Sequence, residues 1–260
     1  MGIITLISDW GRRDPYTAAI KGAIIKTAPQ AIIVDITHDV EPFNIVQASY
    51  ILRQAYPSFP EGTVHIVAVN TDESAEMPHI VVLYEGHYFI GTDNGIFSLL
   101  FDEDPDEMIS LEIIQDTGYF TFPARDRFAK AACKLIMNAP LSELGSPHPS
   151  LKKLINFKPT VESDLIIGIV VYVDGYQNII TNISEAQFRA VARNRSFKLR
   201  FRSQEYLITA LHSSYSDVEE SMIVVLFGTS GFLEIAVNRG NAAGLFGVDV
   251  SDTVRLEFGK

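Results

Sequence analysis

Cysteine is nearly missing from this 260-residue chain. Cys133 stands alone, so no disulfide framework is available and a reducing compartment is expected. Within "FAKAACKLIM" it reads as a small core side chain. Positive charge is also short: 21 Lys and Arg face 32 Asp and Glu, a formal net charge of -11. Nucleic acid is therefore a poor partner for the bulk surface. No uninterrupted apolar run approaches the roughly 18 residues of a membrane span. Met1-Gly2 lead straight into a strand pattern without signal-peptide character. A soluble, cytoplasmic protein with no membrane partner is expected.

Familiar chemical motifs are missing too. There is no G-x-G-x-x-G after a strand, no G-x-x-x-x-G-K-[ST], no H-E-x-x-H and no G-x-S-x-G. The six histidines, His38, His65, His79, His87, His148 and His212, show no paired ligand spacing, so no metal site is expected.

What is present divides the chain in two. The first half alternates strand-like runs ("IITLIS", "AIIVDITH", "GTVHIVAVN") with helical patterns over residues 15–28 and in "NIVQASYILRQAY", which Asn44 caps. A further helix is predicted from about Asp126 to Asn138. Such alternation predicts an α/β domain over 1–158, with a central, mostly parallel sheet flanked by helices and ligands at the carboxyl ends of its strands. The stretch "LSELGSPHPSLKKLINFKPTVESD" has no sustained periodicity and reads as the connection. Beyond it lie short β-rich runs with almost no helical pattern, predicting a smaller all-β, barrel-like domain over 159–260.

The loop "SDWGRRDPYTAAIKG" places Asp9 and Asp14 on either side of a turn at the end of the first strand. Asp14-Pro15 reads as an N-cap followed by proline at the first helical position. In order along the chain come "ISDWGRRDPYTAAIKGAI", "VDITHDVEPFNIVQASYIL", "FPEGTVHIVAV", "GTDNGIFS", "TFPARDRFAKAA", "VDGYQNIITNI", "YSDVE" and "SGFLEIAVNRGNAA". Together they resemble the family of S-adenosyl-L-methionine (SAM) hydroxide adenosyltransferases, which also includes a SAM-dependent fluorinase and chlorinase. The resemblance covers almost the whole chain. It implies a homotrimer that binds SAM between subunits, needs no further cofactor, and displaces methionine from the ribose 5′ carbon.

The resemblance carries over residue by residue. Asp9 matches the aspartate that accepts both ribose hydroxyls, a task suited to two carboxylate oxygens. Asp14 matches one that binds the methionine ammonium, while its local reading is a helix cap. Phe43 and Phe122 match aromatic contacts. Asp174 stands near the methionine group, Asn178 at the adenine edge with Tyr176 beside it, and Tyr215 where an aromatic stacks on adenine. From residues alone, "DGYQN" also fits a plain turn. Thr229 and Ser230 match a pair holding the methionine carboxylate, although an arginine often stands where Ser230 is. Asn238 to Ala242, "NRGNA" with Asn241, match the backbone segment that reads adenine.

The pattern departs at the chemistry. Hydrolytic members carry an Asp-Arg-His set, and here Asn70, Met77 and Pro123 occupy those positions. The fluoride-holding hydroxyl is replaced by Ala124, and the anionic loop with Asp72, Glu73 and Glu76 argues against a halide. Two readings follow: SAM hydrolysis to adenosine and L-methionine, slow and with regrouped residues, for which Asn70, Asp72, Glu73 and His79 are the candidates; or a SAM- or adenosine-binding protein without turnover. A third is a different adenosyl-transfer or nucleoside-cleaving reaction with another nucleophile.

Overall fold

The computed structural model describes residues 2–115, 118–154, 158–193, 195–201, 204–208 and 210–259. The chain forms two compact units, residues 1–155 and 156–260. The expected boundary after residue 158 lies three residues further on.

In the N-terminal unit, β1 (Ile3–Ser8), β2 (Ile32–Thr37), β3 (Val64–Ala68), β4 (His79–Tyr84), β5 (His87–Thr92), β6 (Glu107–Leu111) and β7 (Gly145–Pro147) form one sheet. Its order is β2-β1-β3-β5-β4-β6-β7. The sheet is mixed, which corrects the expectation of a mostly parallel one. Strand β1 pairs in parallel with β2 and β3, and β3 with β5, whereas β4–β5, β4–β6 and β6–β7 are antiparallel. The cause is the hairpin at Glu85-Gly86. Both residues have positive φ, as the tight turn joining antiparallel strands requires. The three strands from β4 onward extend the edge in that sense.

Side chains of the central strands leave on alternate faces. Ile4, Leu6, Val64 and Ile66 join a cluster with Ile20 and Ile24 of α1 (Tyr16–Thr27) and Ala131, Ala132 and Cys133 of α4 (Ala129–Ile136). Ile7, Val67 and Val69 join another with Ala48 and Leu52 of α2 (Ile45–Ala55) and Ile96, Phe97 and Leu100 of α3 (Ile96–Leu100). Cys133 is fully buried, and burial pushes its thiol up to about 11.

Helix α2 starts as expected, with Asn44 Oδ1 accepting from the Gln47 N–H. The Asp14 cap does not form. Pro15 occupies the N-cap position of α1, no side chain caps it, and the Pro15 carbonyl accepts from Ala19 N–H to begin the ladder. The stretch read as a connection is partly structural. Its "GSP" is strand β7, where a Cβ on Gly145 would lie 1.8 Å from Ser110 O, so only glycine fits. Asp93 then accepts from Lys152 N–H and meets His148, tying residues 148–152 to the same unit.

The C-terminal unit is a nearly barrel-shaped antiparallel sheet. Strands β8 (Thr160–Val161), β9 (Leu165–Val173), β10 (Ile179–Ser184), β11 (Phe197–Phe201), β12 (Gln204–Ile208), β13 (Ile223–Phe227), β14 (Phe232–Val237) and β15 (Thr253–Phe258) run in the order β12-β11-β15-β9-β10-β14-β13, with β8 on β9. His212, just beyond β12, donates its backbone N–H to Val225 O of β13 near the open side. Two helices correct the expectation of almost none. They are α5 (Glu185–Ala192), which starts at a Ser184–Gln187 capping box, and α6 (Ala242–Phe246), capped by Asn241. Both are too short to show a helical period in a strand-rich background.

Candidate functional site

In the N-terminal unit three chain segments meet at the carboxyl ends of β1, β2 and β3. Asp9 follows β1, and its Oδ2 accepts from Phe43 N–H at 2.9 Å and Asn70 N–H at 3.4 Å. Its Oδ1 carries neither bond. Both donors have unusual backbones, Phe43 at φ 65 and Asn70 at φ 50, a conformation that costs a non-glycine residue of order 1–3 kcal/mol. Asn94 of "GTDNG" fixes the second by donating Nδ2 to Asn70 O at 3.0 Å. The Phe43 ring is 69% exposed, an unusual state for a phenylalanine.

Beside Asp9, Trp10 packs edge-on against Phe122 at 5.1 Å, and Tyr16 meets the same ring at 5.3 Å. The other face of this group is His38, stacked on Trp10 and bonded through Nδ1 to Ser8 Oγ at 2.7 Å. Asp14 lies exposed in the adjoining loop, with no hydrogen bond or ion pair among the described residues.

A cavity of about 530 Å³ opens between the 71–79 loop and the segment before α4. It is lined by Thr71, Asp72, Glu73, His79, Pro123 and Arg127, with Ile113, Gln115 and Phe120. Arg127 organises it. Its Nε donates to Ile113 O and its Nη2 to Leu111 O at 2.5 Å, while Nη1 reaches Glu73 Oε2 at 2.5 Å and His79 Nδ1 at 2.9 Å. His79 Nε2 lies 2.9 Å from Thr71 O. Since a carbonyl only accepts, Nε2 carries the proton and Nδ1 accepts from Arg127. Burial lowers the proton affinity of His79, with Arg127 acting in the same direction against Thr71 O and Glu73. Met77 closes the loop through paired backbone bonds with Ser74 and does not appear among the cavity residues.

In the C-terminal unit, "DGYQN" forms a tight turn between β9 and β10. Asp174 Oδ1 accepts from Tyr176 N–H and Asn178 N–H, and Oδ2 from Asn178 Nδ2 at 3.0 Å. Tyr176 is 82% exposed. Gln177 O accepts from Ala243 N–H, which brings the start of α6 and Asn241 to this turn. Asn241 Oδ1 is spent on the Gly244 N–H, and Asn238 Nδ2 on Val218 O. Tyr215 donates its hydroxyl to Glu234 of β14. Glu234 is only 7% exposed, and burial raises its carboxyl, helped by the charge of Asp174. Burial and Glu234 raise the Tyr215 hydroxyl in turn. Thr229 and Ser230 sit in the β13–β14 turn, where Ser230 Oγ accepts from Phe232 N–H. A Cβ on Gly228 of that turn would lie 2.7 Å from Glu234 Oε2.

The structure thus gathers Asp9, Phe43 and Asn70 at one point and Asp72, Glu73 and His79 at a second beside it. It gathers Asp174, Tyr176, Asn178 and Asn241 around one turn of the C-terminal unit. Trp10, Arg127 and Glu234 escaped the sequence reading. Glu234 had left a signal, as the one charge in the apolar run "GFLEIAV". Arg127 lies inside the quoted stretch "TFPARDRFAKAA", but nothing in it singled that arginine out.

Two family models match the chain: the SAM hydroxide adenosyltransferase N-terminal domain over residues 4–145 and the corresponding C-terminal domain over 168–255. The chain belongs to the SAM hydroxide adenosyltransferase family. Family relatives include an (R)-S-adenosyl-L-methionine hydrolase of Methanocaldococcus jannaschii, 28% identical over 98% of this chain and 96% of the relative. A Thermus thermophilus protein of the same name is 29% identical over 97% and 98%. A solved structure from Thermotoga maritima superposes with a TM-score of 0.91 at 33% identity, covering 97% of this chain and 99% of that one.

Proposed function

We propose that this chain binds SAM and hydrolyses it to adenosine and L-methionine. The observation that carries the reading is Asp9: a carboxylate fixed through one oxygen by two backbone donors, with the other oxygen open beside an exposed aromatic ring. Such a group suits a ribose diol, and charge-assisted bonds to it are the strong kind. Full-length similarity to SAM hydrolases supports the reaction. Displacement from a sulfonium needs no acid, since methionine leaves as a neutral thioether. The protein's part is to hold the ribose still and bring one water in line. SAM is then the substrate, and no cofactor is called for.

We further infer a cytoplasmic homotrimer. Asp9, Asp14, Phe43 and Phe122 of one copy would contact SAM, together with Asp174, Tyr176, Asn178, Tyr215, Thr229, Ser230, Asn238 and Asn241 of a neighbouring copy. The exposure of Phe43 and Tyr176, two large rings in separate units, supports surfaces meant to be covered. The second reading, binding without turnover, draws on Asn70, Met77 and Pro123 standing where hydrolytic members carry Asp, Arg and His. Incubating the pure protein with SAM, with and without chloride or fluoride, separates the readings. Adenosine and methionine in equal amounts, independent of halide, are expected. Binding of SAM with neither product would establish the second reading, and a halogenated nucleoside would overturn both.

A further inference from the structure

Four residues compete for the proton of the attacking water, and the Arg127 cluster discriminates among them. We propose that Glu73 is the proton acceptor and that Arg127 and His79 position it; the inference rests on the hydrolysis proposed above.

His79 has no ring nitrogen to spare. Nε2–H is committed to Thr71 O and Nδ1 accepts from Arg127, so taking a proton would first break the arginine contact. Asn70 carries a neutral amide, which orients water but does not take its proton. Asp72 shares the cavity, yet no hydrogen bond or ion pair among the described residues fixes its side chain. Glu73 meets both requirements. Its Oε2 is held by Arg127, whereas Oε1 lies 3.6 Å from His79 Nδ1, beyond hydrogen-bond range and facing another acceptor. Oε1 is therefore immobilised but unspent.

Arg127 can impose that geometry because it is itself anchored. Two of its nitrogens are tied to backbone carbonyls at the end of β6, and its side chain is only 13% exposed. His79 completes the frame: buried and packed edge-on against Phe128, it holds the loop through Thr71 O. The cavity is continuous in sequence with the surroundings of Asp9 at two places. Asn70, whose N–H bonds Asp9, precedes Thr71 of the cavity wall; Phe122, which packs on Trp10, precedes Pro123.

The step balances. The water oxygen forms a bond to C5′ as the C5′–S bond breaks, and the sulfur keeps that electron pair in methionine. The water proton passes to Glu73 Oε1, which later releases it to solvent. Placement within reach matters more here than a high proton affinity, because the oxygen becomes strongly acidic as its bond to carbon forms.

Five variants test this: Glu73→Gln, Asp72→Asn, His79→Gln, and Arg127→Lys against Arg127→Met. Glu73 is ringed by Arg127, His79 and Asp72, so each charged neighbour is covered. Glu73→Gln should lower kcat roughly 100-fold or more, the usual scale for a lost general base. Its SAM-induced rise in melting temperature should stay unchanged. The acid limb of the kcat–pH profile should vanish in Glu73→Gln and persist in Asp72→Asn and His79→Gln. Arg127→Lys should retain more activity than Arg127→Met. Glu73 and Asp72 are exposed, so their variants are expected to fold, and matching melting temperatures without ligand verify it. Wild-type kcat in Glu73→Gln, or an acid limb lost in His79→Gln or Asp72→Asn instead, overturns this inference alone. A wild-type protein that binds SAM and releases no adenosine overturns it together with the hydrolysis reading.

Discussion

Asp9 and Asp174 are both carboxylates that accept backbone N–H bonds, but they are held in different ways. Asp9 bonds residues 34 and 61 positions away, whereas Asp174 bonds residues two and four positions away. Arg127 follows the first pattern, reaching Glu73 and His79 across 54 and 48 positions. Asn241 and the Ser214–Asp217 pair follow the second. The N-terminal unit thus assembles its groups only when the sheet is complete. The C-terminal unit builds most of its own from turns that form locally, with Tyr215 to Glu234 as a longer link. Catalytic geometry demands fixed positions from separate strands; a recognition surface can be made from turns.

The contrast breaks most sharply at Asp9. In Asp9→Ala, Phe43 and Asn70 lose their shared acceptor and the ribose loses a charged partner. A hydrogen bond to a charged group contributes roughly 1.5–3 kcal/mol, so SAM affinity should fall about 10- to 150-fold, read by calorimetry. Wild-type affinity in this variant would mean that the ribose binds elsewhere.

Acid should separate the two units next. The three histidines whose proton affinity burial lowers, His65, His79 and His87, all belong to the N-terminal unit. Burial, then the neighbouring His87, lowers His65 to about 3, well below its ordinary 6.5. Its folded form therefore resists protonation that the unfolded chain accepts. The stability it contributes is fully present above about pH 6.5 and is lost as pH falls from there towards 3. Denaturant midpoints followed at pH 8 and pH 5 should drop first for probes in the N-terminal unit. Equal loss in both units would show that these histidines do not govern acid sensitivity.

The smallest effect is expected at Glu234. Glu234→Gln keeps an oxygen for the Tyr215 hydroxyl and removes the repulsion from Asp174. Its melting temperature should match or slightly exceed the wild type, within about 1 kcal/mol in stability. A large loss would reveal that the charge itself holds the C-terminal unit together.

The same division explains what could be read from the chain. "DGYQN" announces its turn, Asn44 its cap, and the apolar runs their strands, because each is decided by neighbours. The role of Arg127 and the failure of Asp14 to cap α1 are decided elsewhere. Arg127 gains its meaning from carbonyls at Leu111 and Ile113, and no local pattern marks an arginine that will meet them. The missing Asp-Arg-His positions were legible at once. Glu73 and His79 were legible as candidates beside them, but the arginine that joins the two was not.

Cys133 offers a clock. It is the chain's single thiol, sealed in the core of the N-terminal unit beneath α1, with its proton held by burial. A thiol-reactive dye in solution is blind to it until that core opens, so the labelling rate times the opening of one half of the molecule while the other half stays silent. Ligand that clasps Asp9 should slow the clock, and the slowing counts occupancy without any product being formed.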